Sequence, residues 1–213
     1  MKAMIFDMDG VLVDSEPIHF AGRKRTLKRY GLEITDSELF NYQSTSAKVF
    51  LRGIAQKRGV DIPIDEAAEF IPLDFKTEFD NNEIKPIDGI KILLENLAAK
   101  NVPMAIASSS SPQLNREMIK RLDIEKYFTA LVSGYEVTNG KPAPDIYLKA
   151  AEYVKVAPAN CVVLEDSHNG ILAGKAAGMY CIGFRSPHSG NQDLSTADII
   201  VNKISEINLN LWS

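Results

Sequence analysis

Apolar residues along this chain fall into two kinds of run, and the way these alternate predicts the fold. Short, near-continuous apolar runs occupy residues 3–6, 103–107, 130–133, 161–164, 181–184 and 199–201. They are too short for helices and read as buried strands. Between them, apolar residues recur at helical spacing: Ile90, Leu93, Leu94 and Leu97; then Leu114, Met118 and Leu122; then the stretches 146–154 and 171–177. Strands alternating with helices predict βαβ units, right-handed crossovers and a parallel sheet.

Residues 15–85 break this rhythm. Helical patterns cover 17–30, 37–40, 46–57 and 65–79, with turn signals at Gly31, at Gly59 with Asp61 and Pro63, and at Asn81 with Asn82. A chain of 213 residues suits one full domain plus an insertion. The expected organisation is a core built from 1–14 and 86–213, with residues 15–85 forming a small α-helical cap inserted after strand one. Open α/β sheets place their ligand crevice at the carboxyl edge of the strands, and the cap is expected above that edge.

Charge narrows the choice of partner. Lys and Arg number 24 against 28 Asp and Glu, a net charge of −4, which gives no general pull toward nucleic acid or anionic lipid. No run approaches the ~20 apolar residues that cross a bilayer, and Asp7 interrupts the opening apolar stretch before a leader core forms. The expectation is a cytoplasmic monomer that binds neither nucleic acid nor membrane. Cys161 and Cys181 lie in Val/Ile-rich stretches and read as buried thiols.

Four short motifs carry candidate chemistry. Asp7 Met8 Asp9 Gly10 follows the first strand; with 14 aspartates in the chain about one Asp-x-Asp pair is expected by chance, so its placement at the strand end is what counts. Leu164 Glu165 Asp166 Ser167 ends another strand in an acidic pair. Two parallel strands ending in carboxylates suit a hard divalent cation such as Mg²⁺, though the second pair could also cap the helix that follows. Ser108 to Ser111 close the second core strand, where hydroxyls and free N–H groups form an anion site or a plain serine cap. Lys141, between Gly140 and Pro142, is either a surface charge or the cation that the acidic cluster lacks.

Taken in order, these motifs resemble the haloacid dehalogenase superfamily. The stretches 7–17 (DMDGVLVDSEP) and 140–144 (GKPAP) are similar to its branch of sugar-phosphate phosphatases and β-phosphoglucomutase-like proteins. The resemblance spans essentially the whole chain and implies a Rossmann-like fold. It implies Asp7 as nucleophile forming an aspartyl-phosphate and Asp9 as general acid and base. Mg²⁺ would be held by Asp7, the Asp9 carbonyl and Asp166, with Glu165 behind them or sharing a ligand role. Lys141 would offset charge, and Ser108 with the N–H of Ser109 would hold phosphoryl oxygens. Some offset is required, because a carboxylate 4 Å from a phosphate dianion meets about 8 kcal/mol of repulsion at an effective dielectric of 20.

The cap is expected to read the leaving group, with Glu16, His19 and the polar loop at Gln43 as substrate contacts, although a lone His near a helix start is as often an ordinary surface residue. The basic run Arg23, Lys24, Arg25, Lys28 and Arg29 reads as a solvated outer helix face. In the mutase branch the cap loop carries a basic pair; here residues 43–47 are uncharged, with Lys48 and Arg52 following. The expected activity is Mg²⁺-dependent hydrolysis of small phosphorylated metabolites, sugar or sugar-alcohol phosphates, the alternative being a β-phosphoglucomutase-like isomerase using the same nucleophile.

Overall fold

A computed structural model describes residues 1–42, 45–188 and 190–212. The chain divides into two compact units, Met1–Asp14 with Lys85–Ser213, and Ser15–Ile84. The first unit holds strands β1 (Ala3–Phe6), β2 (Met104–Ser108), β3 (Ala130–Ser133), β4 (Cys161–Glu165), β5 (Tyr180–Phe184) and β6 (Ile199–Val201) in one sheet of order β3-β2-β1-β4-β5-β6. Every pairing is parallel. This is a Rossmann-like α/β sheet, and its central strands are apolar up to their carboxyl ends, where Ser108 and Glu165 stand, because both faces are covered.

Side-chain alternation assigns the two faces. Ala3, Ile5, Ala105, Ala107, Cys161, Val163 and Cys181 form one core with Ile146, Tyr147 and Ala150 of α7 (Asp145–Tyr153) and Ile171 and Ala173 of α8 (His168–Ala176). The intervening residues Met4, Phe6, Met104, Ile106, Val162 and Leu164 point the other way and are equally buried. Right-handed crossovers put α5 (Ile90–Ala99) and α6 (Pro112–Arg121) on that second face, since the chain runs β1 to β2 to β3 in one direction and then jumps back to β4. Both thiols are free and buried, and burial pushes Cys161 up to about 11 and Cys181 up to about 12, so neither is a reactive thiolate.

The second unit contains α1 (Glu16–Lys28), α2 (Asp36–Leu39), α3 (Ala47–Arg58) and α4 (Ile64–Asn81) around a core that includes Leu27, Leu39, Phe50, Leu51 and Ile54. Gly22 lets α1 approach α4 closely: a Cβ there would sit 2.9 Å from Phe75 Cα. The basic run 23–29 keeps the solvated face expected of it, the Lys24, Arg25 and Arg29 side chains being 41%, 48% and 42% exposed, and acids of neighbouring elements pair with it at that surface. Lys24 pairs with Asp36 at 2.7 Å, Arg25 with Glu78 at 3.1 Å and Asp74 at 3.2 Å, and Arg29 with Asp74 at 2.5 Å. Arg23 donates to the Tyr42 and Thr45 carbonyls and lies over the Phe50 ring. Among the described residues, no helix is long and apolar enough to cross a membrane.

Candidate active site

Strand register builds the acidic cluster. Phe6 pairs with Leu164, and the Asp7 N–H continues the ladder to the Leu164 carbonyl at 3.0 Å, so Asp7 comes level with Glu165 on the neighbouring strand. Side chains at one level of parallel strands share a face. Asp7 and Glu165 therefore lie together on the α7 side, and Asp166 follows Glu165 where β1 and β4 meet. Asp7, Glu165 and Asp166 are 8%, 1% and 6% exposed, and each can offer a carboxylate oxygen within 4.8 Å of the others. This lies at the switch point of the sheet, from which the chain leaves to β2 on one side and β4 on the other.

Lys141, from the segment between β3 and α7, reaches into this cluster. Its Nζ donates to Asp7 Oδ1 at 2.5 Å, Glu165 Oε1 at 2.7 Å and the Ala107 carbonyl at 3.2 Å. Glu165 is fully engaged: Oε1 also accepts from the Tyr147 hydroxyl at 3.0 Å, and Oε2 accepts from the Ser167 N–H at 2.8 Å and hydroxyl at 2.9 Å. Among the described residues the Asp166 carboxylate has no hydrogen-bond partner. Ser167, rather than either acid, caps α8 by accepting the Gly170 N–H at 3.0 Å.

Electrostatics sort these groups. Burial, with the like charges of Glu165 and Asp9, raises Asp7 to about 8 despite Lys141. Burial and the charges of Glu165 and Asp7 push Asp166 well above the carboxylate range. Burial would raise Glu165 too, but Lys141 and Ser167 hold it below its ordinary value. Burial would lower Lys141, and the charges of Asp7 and Glu165 outweigh it and raise the ammonium instead. One lysine thus offsets three buried carboxylates. The donor set, all oxygen, includes a buried carboxylate with no hydrogen-bond partner among the described residues, and that chemistry fits a hard divalent cation.

Two glycines make room for this arrangement. A Cβ at Gly10, whose φ is +80°, would lie 2.0 Å from Asp166 Oδ2; one at Gly170 would lie 1.7 Å from Glu165 Oε1. Ser108 is buried at the end of β2, and Ser109 is exposed at the head of the loop that follows. Ser110 donates its hydroxyl to Asp9 Oδ2 at 3.2 Å, tying the serine loop to the second aspartate. Asp7, Asp9, Ser108, Lys141, Glu165 and Asp166 thus gather at the carboxyl ends of β1, β2 and β4. His19 lies in the helical unit, its ring stacked on Phe75 with centroids 4.3 Å apart, and Glu16 of the same unit acts electrostatically on Arg23. Gln43 lies outside the described residues.

Three residues of the site escape sequence reasoning: Tyr147, Asn115 and Gly170. Two of them leave a signal. Tyr147 falls on the apolar face of α7 beside Ile146 and Ala150, where a hydroxyl needs a partner, and Asn115 falls on the Met118 and Ile119 face of α6, where an amide does.

The model of the haloacid dehalogenase-like hydrolase family matches residues 4–184. A phosphorylated carbohydrates phosphatase of Thermotoga maritima is 34% identical over 84% of this chain and 82% of its own length. Hexitol phosphatase A of Escherichia coli and β-phosphoglucomutase of Bacillus subtilis are each 31% identical, covering 97% and 99% of this chain and 93% of their own lengths. A crystal structure of a HAD family hydrolase from Deinococcus radiodurans, with bound phosphate and sodium, superposes with TM-score 0.79 at 27% identity over 94% of this chain and 90% of that one. With a family match over most of its length and a relative 34% identical over 84% of it, the chain belongs to the haloacid dehalogenase-like hydrolases.

Proposed function

We propose that this protein is a Mg²⁺-dependent phosphatase of small phosphorylated carbohydrates that works through an aspartyl-phosphate on Asp7. The observation that carries this reading is the cluster of Asp7, Asp166 and Glu165, with the single Lys141 paired to Asp7 and Glu165, beside a buried serine at the next strand end. Asp7 and Asp166 would hold Mg²⁺, with the Asp9 carbonyl. The ion, when bound, supplies positive charge to a phosphoryl group and to its nucleophile. Glu165, with both oxygens occupied, serves to hold Lys141 against Asp7.

An Asp7 carboxylate oxygen attacks phosphorus and the bond from phosphorus to the sugar oxygen breaks, with Asp9 donating a proton to that oxygen. Asp9 then takes a proton from water as the water oxygen attacks phosphorus, which breaks the acyl-phosphate bond, frees inorganic phosphate and restores Asp7. Lys141 and Ser108 hold phosphoryl oxygens through both steps. Discrimination among leaving groups is assigned to the helical stretch 15–85, with Glu16, His19 and Gln43 as contacts.

A second reading, transfer of phosphate within a sugar phosphate, is favoured by the β-phosphoglucomutase relative. Against it, residues 43–47 are uncharged, and Lys48, the next cation, pairs with Asp65 at 2.6 Å. Assay of hexose and hexitol phosphates with and without Mg²⁺ separates the two. Release of inorganic phosphate only with the metal is expected; interconversion of glucose 1- and 6-phosphates without release would replace this reading with the mutase.

A further inference from the structure

Asn115, on the inner face of α6, is completely buried and lies at the centre of a small polar network. Its Nδ2 donates to the Ser110 carbonyl at 3.1 Å, and its Oδ1 accepts from the Ser108 hydroxyl at 3.0 Å. The Ser108 oxygen in turn accepts the Ser110 N–H at 3.1 Å. The Ser110 carbonyl takes a second hydrogen bond, from the Ser133 hydroxyl at 2.7 Å.

The directions of these bonds follow from chemistry. A carbonyl oxygen can only accept, so the Ser110 carbonyl fixes Nδ2 toward itself and thereby Oδ1 toward Ser108. Oδ1 also can only accept, so the single Ser108 proton points at Asn115. A hydroxyl has one proton and two lone pairs. With its proton on Asn115 and one lone pair on the Ser110 N–H, Ser108 keeps one rotational freedom that matters: swinging that proton from Oδ1 to an incoming acceptor. During the swing Nδ2 and the Ser110 N–H hold the loop in place.

We propose that Asn115 is a positioning residue for phosphoryl binding, one that holds the Ser108 hydroxyl in place by accepting its hydrogen bond and releases it to donate to the phosphoryl oxygen. This rests on the reading of Ser108 as a phosphoryl-binding hydroxyl. A neutral, fully buried amide suits the role, because it accepts the Ser108 hydrogen bond less strongly than an anion would and so yields it to phosphate. A buried donor held in advance spares the cost of ordering it when phosphate arrives.

The test is a double-mutant cycle on inorganic phosphate binding, measured by calorimetry on Mg²⁺-loaded protein, with kcat/KM followed in parallel. Asn115→Leu keeps the volume and the helix, Asn115→Ala serves as a second variant should the first unfold, and melting curves establish that each is folded. Ser108→Ala and Asn115→Leu are each expected to weaken phosphate about 10-fold, and the double variant by about the same factor, because one removes the donor and the other the group that positions it, so Asn115 acts only through Ser108. Factors that multiply to about 100-fold, or an Asn115→Leu affinity equal to wild type, would overturn the proposal. Coupling in phosphate binding with no ester hydrolysed would sink the phosphatase reading while leaving Asn115 in its role. Turnover with independent factors would do the reverse.

Discussion

Asp74 in the helical unit and Asp7 in the sheet unit are both buried aspartates, and their surroundings treat them in opposite ways. Asp74, 1% exposed, receives the Thr26 hydroxyl at 2.8 Å, Arg29 at 2.5 and 3.0 Å, and Arg25 at 3.2 Å. Burial alone would raise it, yet these partners hold it below its ordinary value. Asp7 shares one lysine with Glu165, beside Asp166, and is driven up to about 8. Two cations for the two acids Asp74 and Glu78 leave no charge over, so the Asp74 network closes on itself and serves the fold. One cation for three acids leaves a charge that something outside the chain must complete. A buried acid marks a functional site when its compensation is incomplete, and burial by itself does not distinguish the two cases.

The sharpest way to break that comparison is to substitute both aspartates. Asp7→Asn is expected to lower kcat by about 10⁴-fold or more. Its melting temperature should hold or rise, since a desolvated charge is removed while Lys141 keeps Glu165 and the Ala107 carbonyl. A loss of stability as large as that of an Asp74 variant would erase the contrast. Next in size is Gly10→Ala. The new Cβ would collide with the Asp166 carboxylate at a backbone conformation that disfavours side chains, and a misplacement of this kind is expected to cost about 100-fold in turnover.

Asp74→Ala should behave in the reverse manner, losing about 2 kcal/mol of stability in denaturant titrations while folded protein keeps its turnover. Its acid dependence gives the smallest effect and a definite sign. Because folded Asp74 lies below its ordinary value of 3.8, the unfolded chain binds that proton more readily. The stabilisation is therefore present above the unfolded value and lost as pH falls through the folded one. Wild type should lose this increment in acid, and Asp74→Ala should show a flatter acid limb; identical limbs would remove Asp74 from the account.

Strands and helices were legible because each is set by local periodicity: residues 130–133 and 199–201 are strands with the bounds that their apolar runs suggest. Three of the four motifs were legible because each closes or follows a strand, and the fourth because Gly140 and Pro142 set Lys141 in a turn just before a helix. What stayed hidden depends on contacts across the sheet. Nothing adjacent to Glu165 in sequence reveals that Lys141, Tyr147 and Ser167 fill its oxygens, which separates it from its neighbour Asp166. Gly170 reads as an ordinary helix residue until the Glu165 carboxylate is seen in the space its missing side chain leaves. The solvated basic face of α1 was legible, but its partners Asp74 and Glu78 were not, lying some fifty residues further along the chain.

The measurement closest to the central claim is release of inorganic phosphate from a hexose or hexitol phosphate by wild type and Asp166→Asn, each with Mg²⁺ and with excess chelator. If the uncompensated acids await a divalent cation, wild-type release requires the metal, and the neutral carboxamide of the variant, a weaker ligand than the carboxylate it replaces, lowers release by about 100-fold or more. Full-rate release in chelator, or an Asp166→Asn protein as active as wild type, would contradict the account.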